Sequence, residues 1–143
     1  MLISTKGRYA LRVMIDLAEH QTDGYIPLKK VAQRQDISEK YLETIIRLLV
    51  KANILSGLRG KGGGYKLTKS PDQYTVGAIL RLTEDSLAPV SCLGPGAAVC
   101  ARAAECRTLH MWQGLDKVIN EYLDNVTIAD LMKSGAAGDN YVI

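Results

Sequence analysis

Three cysteines are the whole thiol content of this 143-residue chain, and all three lie in SCLGPGAAVCARAAECRTLHMW, residues 91–112. Cys92, Cys100 and Cys106 follow the spacing C-x7-C-x5-C, and His110 stands four residues beyond the last of them. Thiolates are soft ligands that suit iron–sulfur iron or zinc, and one loop can let all three converge on a single centre. Either kind of site takes four ligands, so the cysteines leave one position to another donor. His110 is the candidate for it, with Glu84, Asp85 and Glu105 as alternative oxygen donors. From the residues alone three readings stand: an iron–sulfur cluster, a structural zinc, or three unrelated thiols with His110 an ordinary polar residue.

The elements around this stretch are legible from apolar spacing. TKGRYALRVMIDLAEH places Ala10, Val13, Met14, Leu17 and Ala18 on one helical face. After Pro27, LKKVAQRQ makes a short second helix. Asp36-Ile37 is a tight connection, and Ser38 caps a third helix, EKYLETIIRLLVKA, that buries Leu42, Ile45, Ile46 and Leu49. A short helix, a tight turn and a longer polar-faced helix form a helix-turn-helix. ILSGLRGKGGGYKL then reads as a two-stranded hairpin with Arg59 and Lys61 at a glycine-rich tip. Together these predict a winged helix. Another helix starts at Thr75. Gly94-Pro95-Gly96 interrupts any helix in the cysteine stretch. From about Arg107 to Val126 a long helix carries Trp112, Leu115, Ile119, Tyr122 and Val126, widened by Leu109, Met111, Val118 and Leu123, and reads as a dimer interface. Thr127 caps a short closing helix.

The predicted fold is mostly α with a small β-hairpin wing: a winged helix-turn-helix head plus a long C-terminal dimerisation helix. Its divisions are 1–83 for the head, 84–106 for the cysteine loop, 107–133 for the dimerisation and closing helices, and 134–143 for a tail. Residues 1–67 hold 12 Lys and Arg against 6 Asp and Glu, whereas residues 68–143 hold 6 against 9. A basic head on a mildly acidic remainder suits a polyanion such as double-stranded DNA. In the major groove the start of the third helix would present Ser38, Glu39, Lys40, Tyr41, Glu43 and Thr44 to base edges. Glu43 would accept from a cytosine amino group, while Lys40, Arg47 and Lys51 suit phosphates. Arg59 suits a minor groove narrowed by A·T pairs, and Lys61, Gly62 and Gly63 let the wing approach the sugar-phosphate chain.

At this point the chain resembles the iron–sulfur cluster regulator (IscR) family of dimeric winged-helix transcription factors. The residues that carry the resemblance are STKGRYALRVMIDLA, SEKYLE, RGKGGGYKL, VGAILRLTED, the three spaced cysteines with Trp112 after them, and NVTIADL, over about residues 2–133. The resemblance implies a homodimer whose DNA-site choice is governed by a cluster on Cys92, Cys100 and Cys106. It also implies that Tyr41 and Glu43 face bases and that Arg59 enters the minor groove. In the best-known regulator of the family a histidine follows the last cysteine by three residues; that position here is Leu109, and His110 comes one place later. Nitric-oxide-sensing relatives use an aspartate in the first helix for a 4Fe–4S cluster, where this chain has Arg8. The expected cofactor is therefore a 2Fe–2S cluster, delivered by iron–sulfur assembly scaffold proteins, with zinc as the alternative. Cysteine-metabolism repressors, the sister group, generally lack these cysteines.

The function expected is control of iron–sulfur assembly or related genes. The alternatives are a nitric-oxide- or iron-responsive repressor of the same family and a zinc-stabilised DNA-binding protein. No paired catalytic carboxylates, activated nucleophile or nucleotide loop point to an enzyme; GKGGGY lacks the spacing of a phosphate-binding loop. No apolar run reaches the roughly 18 residues of a membrane span, and the charged N-terminus is unlike a signal peptide. The expected compartment is the cytoplasm, where disulfides are rare.

Overall fold

A computed structural model describes residues 1–136. Six helices and one hairpin follow in order: α1 (Thr5–Glu19), α2 (Leu28–Gln35), α3 (Glu39–Lys51), β1 (Leu55–Leu58), β2 (Gly64–Leu67), α4 (Val76–Thr83), α5 (Leu109–Asn125) and α6 (Ile128–Ala136). The proposed tail at 134–143 lies mostly outside the described residues.

The helix boundaries come from local chemistry. Ser4, Ser38 and Thr75 each turn a side-chain oxygen onto a backbone N–H of the first turn, at 3.1 Å, 3.2 Å and 3.1 Å. Asp36 and Asn53 end α2 and α3 in the left-handed conformation, which short polar side chains tolerate. After Asn53 the Ile54 N–H returns to the Leu49 carbonyl at 2.9 Å, so the chain leaves α3 already aimed into β1. β1 and β2 pair antiparallel, Leu55 opposite Leu67 and Leu58 opposite Gly64. A third segment joins them through paired backbone bonds between Ile26 and Tyr65, at 2.9 Å and 2.8 Å, a pairing the sequence reading did not include. Gly64 permits it: a side chain there would bring its Cβ to 2.1 Å from the Ile26 carbonyl oxygen. The glycine run of the wing, read above as room for DNA, thus also serves the protein's own chain.

The core is made by α1, α2, α3 and the hairpin, with Met14, Leu17, Leu42, Ile45, Leu49 and Leu55 buried together. Asp16 is the one buried charged residue among those described. Arg34 grips it with two bonds, at 3.0 Å and 2.7 Å, and Gln35 adds a third at 2.9 Å, which locks α2 to α1. Burial pushes the Asp16 carboxyl up, but bonds from Arg34 and Gln35 and the charges of Arg34 and His20 outweigh it, leaving it below its ordinary value.

Two expectations change. The closing helix, grouped above with the dimerisation helix, packs against the head: Ile128 is fully buried in the head's core, and Leu131 and Met132 lie against it. The long helix starts at Leu109 rather than Arg107, because Arg107 and Thr108 form the turn that precedes it.

Candidate nucleic-acid interface and cysteine loop

α3 turns its apolar residues inward and leaves Ser38, Glu39, Lys40, Glu43, Thr44 and Arg47 exposed. On that face Glu43 and Arg47 stand 4.0 Å apart, a loose pair that solvent screens. Tyr41 differs from its neighbours. It is half-buried, its ring meeting Tyr9 of α1 edge-on at 5.9 Å between centroids, so its position is set by α1. Arg12 lies over the Tyr9 ring at 4.8 Å and donates to the Gln35 side chain at 3.1 Å and to the Gln35 carbonyl. Tyr9 and Arg12 are residues that sequence reasoning left unassigned. Both sit off the main apolar stripe of α1, which was the available signal.

The wing extends from β1 and β2 with Arg59 and Lys61 exposed at its tip, where Gly60 and Gly62 take positive φ and Gly63 is half-buried. Between α3 and the wing lies a cleft of about 390 Å³ lined by Ile46, Arg47, Val50, Lys51, Gly57, Leu58, Arg59 and Tyr65. Three cations thus border one apolar-floored groove between the two elements that a winged helix offers to DNA.

The cysteine loop runs between α4 and α5 and contains two short 3-10 turns, Ser91–Leu93 and Ala103–Glu105. All three thiols are free; Cys92 and Cys100 are exposed and Cys106 is half-buried. Cys106 sits just before α5. A hydrogen bond with the Thr108 hydroxyl, Sγ to Oγ1 at 3.5 Å, and the N–H groups of Thr108 and Leu109 pull its thiol below the ordinary value. Thr108 does not cap α5 with its side chain. His110, the second residue of α5, is exposed. Among the described residues no three His, Cys, Asp or Glu side chains come together as a metal-binding group. The donor set still fits a soft-metal centre, with three free thiols on one loop and one of them held toward the thiolate. Of the alternative oxygen donors, Glu84 is already engaged by Ser4. Arg8 is exposed and donates to Thr5 at 3.1 Å.

α5 separates the apolar stripe read from the sequence into two. Met111, Leu115, Val118 and Tyr122 recur every three or four residues and are exposed, Tyr122 at 69%. Trp112, Ile119, Leu123 and Val126 follow a second line about 100° round the helix and are half-buried. Leu123 and Val126 pack against Val76, Leu80 and Leu87. Arg81 of α4 fastens the same side, reaching both Asp124 oxygens at 2.6 Å and 3.0 Å and Asn120 at 2.7 Å.

A helix-turn-helix with an exposed second helix, flanked by a hairpin with a cationic tip, defines a winged-helix transcriptional regulator. The model of the Rrf2 family, described as iron-dependent transcriptional regulators, matches residues 3–134, and the chain belongs to that family. It is 36% identical to the regulator IscR of Erwinia tasmaniensis over 134 residues, 94% of this chain and 80% of that protein. The IscR of Sodalis glossinidius is 37% identical over the same shares. Among solved structures, T. potens IscR superposes with a TM-score of 0.73 at 36% identity, covering 100% of this chain and 93% of that one. CymR, the global cysteine regulator of B. subtilis, superposes at 0.75 and 36% identity over 93% and 97%. The chain is a DNA-binding regulator and not an enzyme. No helix among the described residues is long and apolar enough to cross a membrane.

Proposed function

We propose that this regulator reads iron–sulfur status through Cys92, Cys100 and Cys106 and binds double-stranded DNA as a homodimer. The controlled genes would be those of iron–sulfur cluster assembly or related functions. The observation that carries this reading is the place of the three free thiols: one loop whose ends are α4, packed in the head, and α5, with its exposed apolar stripe. A centre bound there can alter how the head stands on the pairing helix. When bound, a 2Fe–2S cluster would make occupancy of the loop depend on iron supply and oxidants. His110 is the candidate for the fourth ligand, with Glu105 and Asp85 as alternative oxygen donors. Coupling to DNA requires that the bound and free forms differ in affinity for a duplex.

The chain's own residues supply the rest. Met111, Leu115, Val118 and Tyr122 would pair two copies. Ser38, Glu39, Tyr41, Glu43 and Thr44 would face bases, Glu43 accepting from cytosine. Lys40, Arg47 and Lys51 would hold phosphates, and Arg59 would enter the minor groove. Lys61, Gly62 and Gly63 would lie along the sugar-phosphate chain.

Anaerobic purification with visible absorption and with iron, sulfide and zinc analysis tests the cluster: bound iron and sulfide support it, and colourless, zinc-bearing protein overturns it. For DNA, Glu43→Ala is expected to relax discrimination at one or two base pairs. Arg59→Ala is expected to weaken binding to all sequences and flatten its salt dependence.

A further inference from the structure

Glu84 closes α4 and is the first residue of the cysteine loop. Its Oε1 accepts two bonds from Ser4, from the backbone N–H at 3.0 Å and from the hydroxyl at 2.7 Å. With the hydroxyl proton directed at Glu84, the lone pairs of Ser4 Oγ remain for the Gly7 N–H at 3.1 Å, the bond that caps α1. α1 has no acidic residue in its own first turn, so Glu84 supplies the carboxylate that this positive helix end favours. Gly7 makes the approach possible: a Cβ there would lie 2.2 Å from Glu84 Oε1.

α1 then reaches both helices of the helix-turn-helix. Tyr9, in the turn after Ser4, sets the Tyr41 ring at the start of α3, and Arg12 holds Gln35 at the end of α2. The first turn of α1 is therefore continuous, through hydrogen bonds and ring packing, with the loop on one side and the exposed helix on the other.

We infer that Glu84 is a positioning residue for DNA binding: through Ser4 it sets the first turn of α1, and through Tyr9 and Arg12 α1 sets α3. This rests on the DNA-reading face proposed above. It gives the cysteine loop a route to α3 that does not pass through α5.

The test uses full-length, metal-free protein and a duplex selected by the wild type from a random-sequence pool, titrated well below the melting temperature. Glu84→Ala is expected to raise Kd about fivefold or more, the lower range of site-to-site coupling. Glu84→Gln keeps an oxygen that can accept from Ser4 but loses the charge that favours the start of α1, and its Kd is expected to fall between those of wild type and Glu84→Ala. Gly7→Ala removes neither partner and puts a better helix former into α1. It still displaces the carboxylate and is expected to raise Kd as Glu84→Ala does. Combined with Tyr9→Leu, Glu84→Ala should raise Kd by less than the product of the two single effects. Should Glu84→Ala not fold, Gly7→Ala and Ser4→Ala carry the same measurement. Variants that melt earlier yet bind the selected duplex with wild-type Kd overturn this inference alone. A wild type that selects no duplex overturns the DNA-reading face and the inference with it.

Discussion

α1 and α5 are helices of similar length with opposite fates. α1 buries seven residues, from Gly7 to Ala18, whereas α5 buries none. Both are amphipathic. The apolar face of α1 is covered by α2, α3, α4, β2 and α6, all from the same chain. α5 meets α4 along one line and leaves Met111, Leu115, Val118 and Tyr122 open. The head thus covers its own apolar face, whereas α5 leaves part of its face open. Helices this short gain most of their stability from tertiary packing, so α5 needs either its contacts with α4 or a covering surface.

The sharpest way to break this contrast is to truncate one leucine in each region. Leu42→Ala, at a fully buried site, is expected to cost about 3 kcal/mol and to lower the melting temperature of the whole head. Leu115→Ala should leave melting of the dissociated monomer almost unchanged. A melting temperature that falls equally for both would mean that α5 belongs to the core.

Smaller is the effect of Asp16→Ala, which removes the acceptor shared by Arg34 and Gln35; Arg34 is exposed and can turn to solvent, so the expected cost is about 2 kcal/mol. The wild-type carboxylate is held below its unfolded value of 3.8. Its contribution is therefore complete above that pH and is lost as the pH falls through the lower folded value. Acid titration of wild type followed by circular dichroism should show this loss, and Asp16→Asn should lack it.

Next in size is the arm itself. With α5 pairing two copies as proposed, wild type should sediment as a dimer and Val118→Lys together with Tyr122→Glu as a monomer, while the head melts as before. Smaller again is Arg81→Ala. Its pair with Asp124 is substantially exposed, so solvent screening leaves it worth less than about 1 kcal/mol of stability. Faster amide exchange in the last two turns of α5 is the expected sign, with α1 unaffected. The smallest effect is chemical: Thr108→Val should move alkylation of Cys106 to higher pH in metal-free protein, because the hydroxyl that favours the thiolate is gone.

The helix-turn-helix was legible because its signals are local: a serine cap, an αL residue, and leucines and isoleucines at helical spacing. The hairpin was legible from alternating residues around a glycine run. Tyr9, Arg12, Ser4 and Glu84 were not, since each acts on a residue 23 to 80 positions away or through an aromatic contact that no spacing records. The apolar stripe of the long helix was seen as one surface, although packing against α4 divides it. For the cysteines, residue type pointed to soft-metal chemistry, whereas convergence depends on how the loop closes.

By itself the sequence determined the order of the elements, the capped starts of α1, α3 and α4, the basic head and the three thiols on one loop, because caps, periodicity and composition act over a few residues. Only the tertiary structure decided that α6 returns to the head, that Glu84 holds the start of α1, and which line of α5 stays uncovered. Those depend on distant surfaces meeting, and many sequence separations are compatible with the same contact.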